Sequence, residues 1–366
     1  MNGQNGLERV SLSLRSLYRK YGYRQYSVSK FEEYDLYAQN RSFLGDERIL
    51  TFSDTDGRLM ALKPDVTLSV IKNTREDDHL RKVWYSENVY RAEKNGYGFQ
   101  EIMQTGLECV GSIDLYAMAE VVMLAAESLS GISPAYVLDL SHLGILTGVL
   151  RSSGADAGTI RSVLAAVDGK NLHDLRRAAS SLPAASSRLL EKLCLLGGRA
   201  ESVLPELLSL PLPSAAMDAA RQLEQLCAVL GVFGSYNINI DLSVTNDTDY
   251  YNGLIFRGFV DGASSVVLSG GRYDHLVNRM GKSGGAIGFA VYLSSLELML
   301  YEKPRFDVDT LLFYDETDDA AAVAAAMKKL TENGASVRAQ LRGEPAVTCR
   351  RCVTLDGQEV TECAGC

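Results

Sequence analysis

The chain has 366 residues, 46% of them apolar and 23% charged, which suits two or three domains with cores of their own. A formal net charge of −9 argues against a general binder of nucleic acid or of anionic membranes. No stretch reaches the ~20 apolar residues of a membrane span, and the N-terminus lacks a signal-peptide pattern, so a cytoplasmic location is expected. Residues 1–26 read as an amphipathic helix leading into a strand. Residues 27–140 are rich in strand signals. "RILTFSDTDGRLMALKPD" is a hairpin around Asp54–Gly57, and "KVWYSENVYRAE" pairs with "GFQEIMQTGLECVG". A helix over roughly 113–130 and a strand, "PAYVLDLSH", follow.

From about 143 to 230 the period changes. Leu, Ala and Val recur at threes and fours, broken by Gly154, Gly169, Pro183, Gly197-Gly198 and Pro205–Pro213. With no fixed repeat, this reads as one helical insertion. Strands return at 236–245, 252–260 and 263–269. "GGAIGFAVYLSSLELMLYE" reads as a strand or turn entering a long helix near 289–301. Mixed antiparallel strands with segregated helices predict an α+β core over residues 1–302. After Lys303-Pro304, "DTLLFYD", "DDAAAVAAAMKKLTENG" and "ASVRAQL" predict a small βαβ module over 303–366, closed by a cysteine-rich tail.

The hairpin over 88–111 raises the functional question. Period-two alternation puts Gln104, Gly106 and Glu108 on one face and Met103, Thr105 and Leu107 on the other. Arg91 joins the polar face from the partner strand. Arginine, glutamine and glutamate on one sheet face suit a small ligand carrying both charge signs. Three more segments bring polar groups to the same core: "ALKPDVTLS" (61–69), "TNDTDYYNGLIF" (245–256) and "SGGRYDHL" (269–276). Taken singly each has a plain structural reading, as aromatic strand residues or a turn.

Together, in this order, they resemble the core of histidyl-tRNA synthetase, a class II synthetase fold. "YRAE…FQEIMQTGLE" is similar to that family's motif 2 and the strand after it, and "LKPDVT" to its amino-acid-gripping segment. "TDYYNGLIF" and "GGRYD" resemble its histidine-specific loops, and "AIGFAVYLSSLELML" its motif 3. The resemblance covers about residues 5–302. It implies an antiparallel sheet core flanked by helices. It also implies a histidine pocket in which Asp65 and Thr67 receive the ammonium group, Arg91 and Gln104 hold the carboxylate, and Glu108, Tyr250 and Tyr251 read the imidazole.

The departures from that family matter as much. Ser294 and Ser295 stand at its motif 3 Glu-Arg pair, Asn246 at the arginine that activates the histidine carboxylate, and Gly98 near its motif 2 loop arginine. The motif 1 proline is missing near Ser29. Adenylation needs fixed positive charge where the pentavalent phosphate develops negative charge. Losing one such donor costs ~10²–10³ in rate. Amino-acid ligands kept and ATP arginines lost resemble the ATP phosphoribosyltransferase regulatory-subunit family of histidine biosynthesis. That resemblance implies a non-catalytic subunit requiring no cofactor. It implies a partner, the short catalytic subunit, and L-histidine as feedback effector. It also implies a homodimer within a hetero-oligomer, away from membranes and nucleic acid. The alternative is a histidyl-tRNA synthetase-like amino-acid sensor or ligase with another partner.

Seven cysteines divide into two groups. Cys109, Cys194 and Cys227 sit singly among apolar residues and read as buried hydrophobes. Cys349, Cys352, Cys363 and Cys366 form C-x2-C…C-x2-C around "VTLDGQEVT", a hairpin with Asp356-Gly357 at its turn. Folding it brings four thiols together, a set suited to structural zinc, although the spacer is shorter than in the usual ribbon. The four histidines, His79, His142, His173 and His275, are scattered. His142 and His275 fall near predicted core strands, and all four read as surface or satisfied core residues. No P-loop, dinucleotide fingerprint or Ser-His-Asp spacing is present.

Overall fold

The computed structural model describes residues 6–44, 48–75, 80–92, 98–245, 251–300, 306–357 and 359–363. The chain divides into two compact units, one of Arg9–Met299 and the other of Leu300–Cys366 with Met1–Glu8.

The first part of the chain runs α1 (Gly6–Lys20), β1 (Arg24–Gln25), β2 (Phe31–Glu33), α2 (Tyr34–Gln39), α3 (Arg41–Leu44), β3 (Thr51–Ser53), β4 (Leu59–Leu62) and α4 (Thr67–Lys72). The long hairpin β5 (Leu80–Ala92) and β6 (Phe99–Gly111) follows, then α5 (Leu115–Ile132) and β7 (Tyr136–His142). The helical insertion is α6 (Leu143–Ser152), α7 (Ala157–Asp168), α8 (Leu172–Ala178), α9 (Ala184–Leu195), the short β8 (Gly197–Arg199), α10 (Ala200–Ser209) and α11 (Ser214–Phe233). The chain returns through β9 (Ile238–Asp241), β10 (Leu254–Val260), β11 (Leu268–Arg272), α12 (Asp274–Arg279) and β12 (Gly285–Tyr292). A single 3-10 turn, Leu293–Leu296, and α13 (Glu297–Leu300) end this part.

Nine strands form one sheet in the order β1-β5-β6-β12-β11-β10-β7-β9-β8. Its pairs are antiparallel apart from β1 with β5 and β7 with β9. A three-stranded sheet, β2-β4-β3, holds the hairpin around Gly57, whose φ of 78° the turn requires. Asp54 Oδ1 accepts from the Asp56 and Arg58 N–H groups and closes that turn.

One face of the large sheet is apolar, and helices cover it. Trp84, Leu107, Phe289 and Phe256 lie there, with Tyr18 of α1 edge-on to Phe289 at 5.9 Å. On this face α5 is buried over most of its length and capped by Asp114, whose carboxylate accepts from the Ala117 N–H at 2.8 Å. It is long and apolar enough to cross a membrane. Two-thirds of it is buried here, and it carries Glu120, paired with Lys82 at 2.6 Å and receiving the Tyr23 hydroxyl. That is how a core helix satisfies a buried charge.

The sequence-predicted long helix near 289–301 is replaced by strand. Residues through Tyr292 form β12, the central partner of β6 and β11. A strand buried on both faces is a continuous apolar run and lacks the alternation that marks a half-exposed one. The helix that follows is a 3-10 turn and one α turn.

The second unit carries β13 (Val308–Tyr314), α14 (Ala320–Thr331), β14 (Val337–Leu341), β15 (Cys349–Asp356) and β16 (Glu359–Glu362), in the sheet order β14-β13-β15-β16. β13, α14 and β14 make the predicted βαβ unit, with β13 and β14 parallel. Asp319 caps the alanine-rich α14, and Gly334, at φ 76°, follows its end.

Candidate functional site

The polar face of the large sheet is set by register. Glu108 lies between Val83 and Gly288, Gly106 between Tyr85 and Ala290, and Gln104 between Glu87 and Tyr292. Directly opposed residues share a face, so the predicted alternation of Gln104, Gly106 and Glu108 is the observed one. Arg91 shares the face but pairs with Gln100. It therefore stands four positions, roughly 13 Å of strand, along the sheet from Gln104.

Glycines make the floor. A Cβ at Gly106 would sit 2.6 Å from the Tyr85 hydroxyl, and one at Gly271 2.6 Å from the Tyr251 ring. At Gly288 a Cβ would collide with the Glu108 carboxylate. The absent side chains are what let Glu108 and the tyrosines lie across the strands.

Glu108 is the centre of this arrangement. It is 2% exposed. Thr67, at the start of α4, donates its hydroxyl to Oε1 at 2.6 Å, and the Tyr273 hydroxyl donates to Oε2. Burial pushes the carboxyl up to about 8, against the pull of the Thr67 and Tyr273 donors, with Asp65 adding repulsion. Asp65 is buried beside it, and its Oδ1 accepts from the Leu68 N–H at 2.9 Å. Burial raises its pKa too, opposed by that N–H and by the Arg91 charge. Arg91 donates from Nε to the Pro64 carbonyl at 2.9 Å, on the loop that carries Asp65. Tyr85 is held protonated by burial and by the Glu108 and Asp65 carboxylates. Gln104 is 2% exposed and its Oε1 has no hydrogen-bond partner among the described residues.

Five of the seven predicted ligand-binding residues therefore lie on or against one face: Asp65, Thr67, Arg91, Gln104 and Glu108. Tyr251 packs edge-on to Tyr273 at 6.5 Å and adjoins them. Tyr250 and Asn246 lie outside the described residues. Tyr273 and Tyr85 are functional neighbours that sequence reasoning misses. Tyr273 sits inside the "GGRYD" segment, so that segment held the signal. Tyr85 reads in sequence only as one aromatic in a strand, and the pairing with Gly106 alone reveals it. An ion pair of the buried Lys63 with the half-buried Glu87, at 2.7 Å, also borders this face.

Beyond the glycines, the same face carries Arg257 on β10, opposite Ser269 and Asp139. It reaches Asp168, at the end of α7, at 3.9 Å. Lys170 pairs with Asp241 at 2.8 Å, and the Thr245 hydroxyl donates to the Leu164 carbonyl at 3.0 Å. These contacts dock the insertion on the sheet. His142 is used locally. Its Nδ1 accepts from the Gly144 N–H at 3.1 Å and its Nε2 faces Gln222 at 2.8 Å, and burial keeps its pKa low. His173 and His275 are exposed, and His79 lies outside the described residues.

In the second unit, Cys349, Cys352 and Cys363 are described and Cys366 is not. Cys349 and Cys363 are free thiols and Cys352 is disulfide-bonded. Cys109, Cys194 and Cys227 are free; the first two are buried, the third half-buried.

Comparison with known proteins bears on the fold and the family. Residues 4–296 match the family model described as histidyl-tRNA synthetase. An ATP phosphoribosyltransferase regulatory subunit from Acetivibrio thermocellus is 26% identical over 366 residues, covering 94% of this chain and 85% of the relative. A solved Bacillus halodurans protein, described as an ATP phosphoribosyltransferase regulatory subunit/histidyl-tRNA synthetase, superposes with a TM-score of 0.78 at 22% identity, over 93% of this chain and 90% of that one. The ATP phosphoribosyl transferase (HisG:HisZ) complex from Thermotoga maritima gives 0.61 at 22% identity, over 78% of this chain and 96% of that one. The fold is thus the expected class II synthetase-like α+β core, and the chain belongs to the histidyl-tRNA synthetase family.

Proposed function

We propose that this chain is the regulatory subunit of ATP phosphoribosyltransferase, a cytoplasmic, non-catalytic protein required for the first step of histidine biosynthesis. In this reading it binds L-histidine in the Glu108 pocket and passes that occupancy to a short catalytic subunit, as a homodimer within a hetero-oligomer. The names of its relatives and the two-protein complex among its structural neighbours support the role and the partner.

The observation that carries the ligand is Glu108, a buried carboxyl fixed by two hydroxyl donors above a glycine floor. A ring N–H of histidine satisfies such a carboxylate, and an apolar isostere leaves it stranded. Asp65 and Thr67 suit the ammonium group. Arg91 and Gln104 suit the carboxylate, since a guanidinium matches two oxygens at once and Gln104 lies on the same face. Tyr251 completes the wall, with Tyr250 assigned by sequence alone.

The absence of chemistry rests on charge. Ser294 and Ser295 stand where adenylating relatives carry a glutamate and an arginine, and both are spent locally. The Met103 N–H donates to Ser294 Oγ at 2.9 Å, and Ser295 Oγ lies 3.4 Å from Ser265 Oγ. Arg257, further along the face, is engaged by Asp168. A neutral hydroxyl does not replace a guanidinium at a developing phosphate charge.

The test is phosphoribosyl transfer to ATP by the organism's short catalytic subunit, with and without this chain, then with added L-histidine. Stimulation reversed by histidine is expected. Histidine binding with no effect on the transferase overturns the partner. Histidine-dependent pyrophosphate exchange into ATP overturns the non-catalytic reading.

A further inference from the structure

Two carboxyls share the buried end of the polar face, and their partners differ in kind. Asp65 Oδ1 accepts from the Leu68 N–H at 2.9 Å. Burial raises the Asp65 pKa, and the N–H groups of Leu68, Thr67 and Val66 pull against that. A backbone N–H only donates, so these partners fit an ionised carboxylate and offer nothing to a protonated one. Both side-chain partners of Glu108 among the described residues are hydroxyls, those of Thr67 and Tyr273. A hydroxyl donates and also accepts. The same two groups therefore serve a carboxylate and, with one hydroxyl turned, a carboxylic acid. Glu108 is the carboxyl that can change its proton without moving a heavy atom.

The other neighbours supply no counter-charge. Tyr85 of β5 is kept protonated by burial, Tyr251 lies beside Tyr273, and β12 brings Gly288 opposite Glu108. Burial pushes the Cys109 thiol, behind Glu108 on β6, up to about 12, so it stays neutral. Among the described residues no lysine or arginine pairs with Glu108. The Arg91 charge acts on Asp65, and Lys63 is taken by Glu87. With both carboxyls ionised, the site holds the negative charges of Asp65 and Glu108 against the positive charge of Arg91 alone. Burial resists that imbalance and pushes Glu108 up to about 8, so the empty site keeps a proton at neutral pH. An amino acid with a neutral side chain leaves the imbalance in place. One with a cationic ring removes it.

Given histidine as the ligand, on which this inference rests, we propose that the pocket holds its ring as the imidazolium, with the second ring proton supplied by Glu108. The Glu108 O–H bond breaks as an N–H bond forms at the ring nitrogen that carried no hydrogen. A carboxylate then faces an imidazolium, and no proton enters or leaves the site. The Thr67 and Tyr273 hydroxyls donate to that carboxylate in the arrangement described above. Such a charge-assisted pair is stronger than a neutral one, so the site selects for ring basicity as well as for shape. Between the ordinary imidazole value of about 6.5 and about 8, binding exchanges no net proton. Above that window a proton must come from solvent, and below it the Glu108 proton must be expelled, so affinity falls on both sides.

The full-length chain is titrated with L-histidine carrying nitrogen-15 in the ring. Both ring nitrogens of the bound ligand are expected to resonate as N–H-bearing imidazolium nitrogens at neutral pH, where the free ring is mostly neutral. Calorimetry in buffers of different ionisation enthalpy is expected to show no net proton near neutral pH and rising uptake above about 8. 1,2,4-Triazole-3-alanine keeps an N–H and the ring size but is far less basic. It is expected to bind at least ~30-fold more weakly than histidine. A bound ring with one unprotonated nitrogen overturns the proposal, and so does a triazole affinity within about threefold of that for histidine. In both of those outcomes histidine still binds, and weaker binding by Glu108→Gln keeps the ligand in this pocket. Histidine that fails to bind, or that binds Glu108→Gln equally well, overturns the pocket reading together with this one.

Discussion

The two ends of one sheet face use charge in opposite ways. At the Glu108 end, two carboxyls are buried side by side and served by hydroxyl and backbone donors, and Gln104 keeps an open acceptor. At the Arg257 end, two cations stand near carboxylates, Arg257 3.9 Å from Asp168 and Lys170 2.8 Å from Asp241, while burial and the Asp241 charge raise the pKa of Asp139 beside them. Both ends belong to the same sheet and both are polar. The difference teaches that a charged residue on this face marks a ligand position only where its fold has not already given it a counter-charge. The Glu108 end remains underneutralised, as its raised pKa records. A cationic or N–H-bearing ligand relieves that imbalance, whereas at the Arg257 end Lys170 and Arg257 already act against the burial that raises the Asp139 pKa.

The largest expected effect is on affinity. Glu108→Gln is expected to weaken histidine binding at least ~100-fold, because the amide cannot give up a proton to become the charged acceptor that a ring N–H binds. Titration calorimetry checks it, and unchanged affinity would collapse the contrast between the two ends. Gly288→Ala tests the floor. The added methyl meets the Glu108 carboxylate and the Leu107 carbonyl, so a loss of about 1–3 kcal/mol is expected, read by denaturant unfolding. A wild-type midpoint in Gly288→Ala would mean that Glu108 has room to move.

The pH dependence sharpens the comparison further. In the folded chain Glu108 titrates at about 8, against an ordinary value of 4.5. Between those values the folded state holds a proton that the unfolded state has lost, so stability falls as pH rises through that window. Each tenfold difference in proton affinity between the two states is worth ~1.4 kcal/mol at most. Glu108→Gln is expected to flatten the slope of melting temperature over that window. An equal slope in both proteins would place the titration elsewhere. The smallest effect is expected from Arg257→Ala: under about 1 kcal/mol of stability, histidine affinity within about threefold, and faster proteolysis near Asp168–Lys170. A large loss of affinity there would erase the distinction between the ends.

Much of this was legible in the chain. The 88–111 hairpin, the alternation of Gln104, Gly106 and Glu108, and the βαβ order of the second unit follow from local pattern, because strand and helix periods are written in neighbouring residues. So do the Asp54–Gly57 and Asp356-Gly357 turns, where the residue type fixes the backbone. The β12 run was not legible, since a strand buried on both faces and a buried helix spell the same apolar string. Tertiary structure alone decided that Tyr273 and Thr67, 206 positions apart by number, both donate to one carboxylate, and that Arg91 stands away from Gln104. It also decided that Arg257 is spent on the insertion. Pairing register and counter-charge depend on which strands meet, and that is settled by long-range packing that no local stretch encodes.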